Sequence, residues 1–371
     1  MKNTCFLLIS LAFLTQCQPK PSPQYFSEKM PDWTLTPFLK ADSVNPVLLP
    51  SPTATFDCPI LKKAIRWEEK DVFNPAAVVR DGRVWLLYRA ENQALSDVPK
   101  TSRLGLAVSD DGFHFKKQSA PVLFPDNDAM KKYEFPGGIE DPRLVETADG
   151  RYILTYTAYD GTTARLCVAS SKDLQHWTKH GLVLTDRFEN TWSKSGAIVV
   201  RQVGEKMIAE RVGGKFWLYF GDTDLFAATS DDLIHWQPVL NANGKLLSVL
   251  QPRKGFHDSR LVESGPFALL TKRGILLIYN GMNAEKNGDP TLLADTYSAG
   301  QALFDRQNPT KLLARTPTNF FKPTQAYERV GQVHEVCFLE GLAWFRNRWL
   351  LYYGTADSKI AAATCVKFIH N

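Results

Sequence analysis

The sequence predicts an all-β chain folded as a five-bladed β-propeller with an axial active site. Three observations predict it. The first is a repeated turn: Ser109-Asp110-Asp111-Gly112-Phe113-His114-Phe115 returns 62 residues on as Ser171-Lys172-Asp173-Leu174-Gln175-His176-Trp177, and after 59 more as Ser230-Asp231-Asp232-Leu233-Ile234-His235-Trp236. The second is a set of five apolar runs ending in aromatics, among them Val84 to Tyr88, Tyr152 to Tyr156 and Phe216 to Phe220, with Ile275 to Tyr279 and Trp349 to Tyr353 beyond them. These runs are short, rich in β-branched and aromatic residues, and bounded by Gly, Asp and Asn, as strands are. The third is that no long window carries helical periodicity. Five like units at a spacing near sixty residues fit blades better than the competing pair of β-sandwiches.

Taken in order, residues 1–17 read as a lipoprotein signal peptide. A basic start is followed by the apolar run Phe6 to Leu14, too short to span a bilayer, and then by Leu14-Thr15-Gln16-Cys17. The segment resembles a bacterial lipoprotein signal, with Cys17 as the lipidation site and an ordinary secretory signal as the alternative. Either reading exports the chain, to the periplasmic or outer-membrane face or into the medium. Residues 18–30 form a Pro-rich tether, and 31–371 a single catalytic propeller. The chain has 371 residues and a net charge of +5. Its basic residues are scattered rather than clustered, which excludes a nucleic-acid partner. Cys58, Cys167, Cys337 and Cys365 are too far apart for a zinc site, and spacing cannot assign a disulfide among them.

In each repeated turn, Ser and Asp cap the backbone and the aromatic packs into the sheet. His114, His176 and His235 are therefore scaffold residues, not metal ligands. Chemistry belongs where inner strands converge on the axis. Candidates there are Asn74, Asp141, Lys194, Asp222, Glu263 and Glu335, polar groups that interrupt or end apolar runs. The densest run is Gly137-Gly138-Ile139-Glu140-Asp141-Pro142-Arg143. It sets two carboxylates and a guanidinium on a proline-stiffened turn, as an acid in sugar chemistry requires.

These motifs, with Phe73-Asn74-Pro75-Ala76, Tyr88-Arg89, Ser102-Arg103-Leu104-Gly105, Glu263-Ser264-Gly265-Pro266 and Tyr353-Gly354-Thr355-Ala356-Asp357, resemble glycoside hydrolase family 130, five-bladed propellers acting on β-mannosides. The resemblance implies that Asp141 is the general acid, its proton reaching the glycosidic oxygen directly or through a mannose hydroxyl. It also implies that Asn74, Arg89, Arg103, Arg143 and Asp357 bind substrate or support the acid. Lys194 matches a lysine associated with β-1,2 linkages, and Glu263 and Asp222 match candidate bases. Trp192 is the best-placed aromatic for stacking on sugar, ahead of Phe135, Tyr88 and Tyr159. The segment Trp192-Ser193-Lys194-Ser195-Gly196 lacks the Arg-Asn pair that holds phosphate in the family's phosphorylases. The expectation is thus an inverting hydrolase, with a phosphorylase and a non-catalytic glycan-binding lipoprotein as alternatives. It has a protonated Asp141, an ionised Glu263 and a carboxyl separation of roughly 6.5–9.5 Å. The partners are then a mannose-containing glycan and, through the lipid anchor, a membrane. No metal or other cofactor is called for.

Overall fold

Each blade is built outward from an innermost strand, and in the first three the repeated turn joins the third strand to the outermost. The computed structural model describes residues 30–367, so the signal segment, Cys17 and all but the last residue of the tether lie outside the described residues. The five innermost strands are Asp71–Arg80, Gly138–Glu146, Ala197–Val203, the interrupted pair Leu261–Ser264 and Ala268–Thr271, and Cys337–Phe345. Second strands follow antiparallel at Arg83–Glu91, Tyr152–Tyr159, Lys215–Phe220, Gly274–Met282 and Arg348–Thr355. The third strands are Ser102–Ser109, Ala164–Ser171, Leu225–Ser230, Tyr297–Phe304 and Lys359–Cys365. The fifth blade takes its outermost strand, Leu39–Lys40, from the beginning of the propeller, paired with Lys359–Cys365. First and last blades are thereby fastened into one ring. No described helix is long and apolar enough to cross a membrane.

The repeated turns form as their residue types dictate. In the second, Ser171 Oγ accepts the amides of Asp173 and Leu174, Asp173 Oδ1 accepts those of Gln175 and His176, and His176 Nδ1 lies 2.7 Å from Asp173 Oδ2. The other two copies repeat this pattern. The three histidines are exposed and serve the turns.

A second device was not visible in the sequence. Four blades bury an acid from the segment before the innermost strand, and each acid is held by a tyrosine of the second strand and a cation of the outermost strand. Tyr88 donates to Glu68 (2.9 Å), which also meets Lys117. Tyr156 donates to Glu134 (2.9 Å), paired with Lys179. Tyr279 donates to Asp258 (2.7 Å), paired with Arg315. Tyr353 donates to Glu328 (2.8 Å), paired with Lys40. A small residue always faces the tyrosine on the third strand: Gly105, Cys167, Gly300 and Ala361. A β-carbon on Gly105 would lie 2.3 Å from the Tyr88 ring, so the ring requires the glycine. The third blade has no such acid, and Tyr219 donates to the Pro309 carbonyl instead. Cys58, Cys167, Cys337 and Cys365 are free and buried.

These clamps carry unequal weight. Tyr156→Phe removes a bond to a buried carboxyl and is expected to cost about 1.5–3 kcal/mol, whereas Tyr219→Phe removes one to a neutral carbonyl and should cost about 0.5–1.5 kcal/mol. Chemical unfolding of the two variants checks the order. Equal losses would show that the acid adds nothing to the clamp.

Candidate functional site

Bulges in the innermost strands aim polar side chains at the axis. Register slips between Phe73 and Pro75, between Glu140 and Arg143, and between Leu339 and Gly341. Asn74 and Asp141, each just before a proline, sit at φ 47°, a left-handed conformation that Asn and Asp tolerate better than most residues. Such bulges re-aim side chains beside functional sites.

Asp141 is the centre of the resulting cluster. Its Oδ1 accepts from Asn74 Nδ2 (2.9 Å) and Arg89 Nη1 (3.0 Å), and its Oδ2 lies 3.1 Å from Lys194 Nζ. Arg89 also pairs with Glu91 (2.7 Å) and Glu140 (2.8 Å). Lys194 lies 3.6 Å from Glu263 Oε1, which also accepts from Ser195 Oγ. The two carboxylate oxygens cannot be farther apart than the two Lys194 distances laid end to end. That limit falls at the short edge of the roughly 6.5–9.5 Å inverting window, with the ammonium in the intervening space.

Charge here departs from expectation. Burial pushes the Asp141 carboxyl up, but Lys194, then Arg89 and Arg143, outweigh it and hold Asp141 far below the usual range. Burial raises Glu263, and Lys194 only partly offsets this while Asp222 adds to it. The two carboxyls are thus pushed in the directions opposite to those expected, because Lys194, Arg89 and Arg143 all act on Asp141 while Glu263 has only Lys194 and Arg143 against its burial. Burial likewise raises Glu140 against the pull of Arg89. Asp357, half-buried, is pushed up to about 7 by loss of solvent, with Arg89 opposing and Asp141 reinforcing.

The other expected residues divide. Asp222 stands at the mouth and accepts from Trp192 Nε1 (2.7 Å). Trp192 is 48% exposed and meets Tyr159 edge-on with centroids 6.3 Å apart, so the two form an aromatic wall. Arg143 does not face the opening. It is buried and donates to the carbonyls of Asp141, Ser264 and Gly265 at 2.8–3.1 Å. Arg103 is buried against Asn92, the Thr101 carbonyl and the Phe56 ring, none of them in the carboxylate cluster. Tyr88 is locked in its clamp, Phe135 is half-buried, and Glu335 faces Arg329 at 3.9 Å. Glu140 was seen in sequence as the second carboxylate of its run but given no role of its own, and Tyr297 and Glu340 were missed as parts of the site. Tyr297 feels the charges of Glu263, Lys194 and Asp357. Glu340 left a usable signal, as the one charged residue in the apolar strand Cys337–Phe345. Among the described residues no group of three or more His, Cys, Asp or Glu is arranged to hold a metal ion.

A family profile described as β-1,4-mannooligosaccharide phosphorylase matches residues 39–369. A 1,2-β-oligomannan phosphorylase of Thermoanaerobacter sp. (strain X514) is 30% identical over 88% of this chain and 96% of its own. A solved glycosyl hydrolase from Bacteroides ovatus is 45% identical, with TM-score 0.88, covering 91% of this chain and 95% of its own. Another solved structure is 43% identical, with TM-score 0.88, covering 90% and 95%. It comes from work describing the GH130 family of mannoside phosphorylases as containing glycoside hydrolases that target β-1,2 mannosidic linkages in Candida mannan. The expectation of a hydrolase is corrected here. It rested on the missing Arg-Asn pair, on the likeness of Lys194 and Glu263 to the hydrolase branch and on the expected export, whereas the family profile and the curated relative that match nearly the whole propeller are phosphorylases by description. By these matches, the chain belongs to glycoside hydrolase family 130.

Proposed function

We propose that this enzyme is a β-mannoside phosphorylase acting on β-1,2-linked mannose and transferring the mannosyl group to inorganic phosphate. The observation that carries the reading is the Lys194 ammonium between Asp141 and Glu263, a fixed positive charge beside a carboxyl that burial pushes up. Water needs an ionised base to attack; phosphate already carries its negative charge and needs none. Glu140, Glu263 and Glu340 are all raised. Three cations, Arg89, Arg143 and Lys194, stand among them, and a fixed positive charge such as the Lys194 ammonium favours an anion beside it.

The steps follow from the geometry. A mannosyl residue enters past Trp192 and Tyr159, with its glycosidic oxygen toward Asp141. A phosphate oxygen attacks the anomeric carbon from the opposite face, forming the C–O bond to phosphorus as the glycosidic C–O bond breaks. Inversion turns a β-mannoside into α-mannose 1-phosphate. Asp141 gives its proton to the leaving oxygen, directly or through a mannose hydroxyl, and the proton of the attacking phosphate restores it. The phosphate charge beside Lys194 weakens the hold of that cation on Asp141, which raises the Asp141 carboxyl toward its proton-carrying form.

Product analysis on β-1,2-mannobiose with and without inorganic phosphate tests the reading. Mannose 1-phosphate formed only with phosphate is expected. Free mannose at a rate indifferent to phosphate overturns it, and no product in either condition favours a glycan-binding protein. Asp141→Asn is expected to lower kcat by about 10²–10⁴-fold. Glu263→Gln should cost less than tenfold, because an attacking phosphate needs no base there. Losses of equal size would assign Glu263 a base role.

Asp357 gives a pH-dependent prediction. Its folded value of about 7 stands above its ordinary 3.8, so between those values the folded protein keeps a proton the unfolded chain has lost. Stability is therefore withdrawn as pH rises through that window. Asp357→Asn removes the penalty, and its Tm relative to wild type should rise from pH 4.5 to pH 7.5. A difference that does not change with pH would exclude a raised Asp357.

A further inference from the structure

We propose that Glu340 is a positioning residue for the reaction: acting through Arg143, it holds the segments of Asp141 and Glu263 in fixed relation. The inference rests on the mannoside-cleaving assignment above and extends its machinery to the fifth blade.

Glu340 is the extra residue of a bulge, with Leu339 opposite Tyr353 and Gly341 opposite Tyr352. Its strand neighbours are apolar, and it is 1% exposed. Neither carboxyl oxygen has a hydrogen-bond partner, and the nearest cation is Arg143 Nη1 at 3.5 Å. A carboxyl buried in this way is costly, and an apolar residue would fill the strand at no such cost. Arg143, for its part, touches no carboxylate closely. Its three hydrogen bonds all end on carbonyls: Asp141 in the second blade, and Ser264 and Gly265 in the fourth. Ser264 directly follows Glu263, and its hydroxyl donates to the Ser195 carbonyl beside Lys194 (2.7 Å). The guanidinium therefore spans the backbones that carry the acid and its opposed carboxyl, and Glu340 faces it from the fifth blade. The backbones approach closely at this point: a β-carbon on Gly341 would lie 2.7 Å from the Pro75 carbonyl, and one on Gly265 3.1 Å from that of Leu339, while the guanidinium also lies over the Phe338 ring, 5.8 Å from its centroid. Reacting groups need a supporting layer of this kind to stay within fractions of an ångström of their working geometry.

The test compares Glu340→Leu, which removes the acceptor facing Arg143, with Glu340→Gln, which keeps one. Both are checked for folding by thermal unfolding and assayed on β-1,2-mannobiose with phosphate. Since Glu340 does not reach substrate, Glu340→Leu should lower kcat at least tenfold while KM changes less than threefold, and Glu340→Gln should recover kcat to within threefold of wild type. Wild-type kcat in Glu340→Leu overturns the proposal. So does a loss confined to KM, or a Glu340→Gln as impaired as Glu340→Leu. If Glu340→Leu does not fold, Glu340→Asp, which withdraws the acceptor by one methylene, replaces it with the same expectations. If wild type cleaves no mannoside, the functional reading fails on its own, and crystal structures of wild type and Glu340→Leu decide the strut. A changed separation of the Asp141 and Ser264 carbonyls supports it, and an unchanged one overturns it.

Discussion

Carboxylates cannot be gathered on one buried axis unless cations stand between them. Here Asp141, Glu140, Glu263 and Glu91 converge from three blades, and each is brought in by the cation that neutralises it. Arg89 of the first blade holds Glu140 and Asp141 of the second. Lys194, ahead of the third, reaches Asp141 and Glu263 of the fourth. Arg143 runs from the second blade to carbonyls of the fourth and faces Glu340 of the fifth. The electrostatic requirement of the site is thus also what joins the blades at the level of the site. Removing any one cation would leave a buried charge without compensation and loosen two blades at once.

The blades are otherwise secured from within, and the exception marks where the site opens. Four blades spend the segment before the innermost strand on an acid buried under a tyrosine and a cation. The third blade does not. Its corresponding segment carries Trp192 and Lys194, and Tyr219 turns to a backbone carbonyl. Freed from a clamp, that segment supplies the aromatic wall and the ammonium of the pocket. One blade gives up a buried ion pair, and the site gains two of its main residues.

The period of the propeller was legible because it is written in local chemistry. Ser-x-Asp turns and aromatic-ended runs need only neighbouring residues to form, so Ser171, Asp173 and Trp177 announce themselves in sequence. Asp141 was legible for the same reason, since its bulge is encoded by the glycines before it and the proline after it. The clamps were not, because Lys40 and Glu328 lie 288 residues apart and nothing local in Lys40 distinguishes it from a surface lysine. For Arg143 the sequence left substrate contact and support of the acid both open, because it gives proximity to Asp141 but not direction; its side chain turns to backbone carbonyls. The directions in which Asp141 and Glu263 are pushed were missed for a similar reason: they depend on which cations face each carboxyl, an arrangement that exists only once the blades close.

That arrangement also bears on which acceptor the fold selects. Glu263 stands where an ionised carboxylate would prepare water, and where a protonated one would leave room for an anion beside Lys194. Nothing in the strand order separates the two outcomes. One solved relative, 43% identical, comes from work that places hydrolases within a family of phosphorylases. In the reading proposed above, the choice between the two acceptors turns on the balance of charge around Glu263. In this chain Lys194 is shared with Asp141, Asp222 adds negative charge on the far side, and burial does the rest. The Glu263 carboxyl is pushed up, and a site arranged in that way suits the proposed nucleophile that brings its own charge.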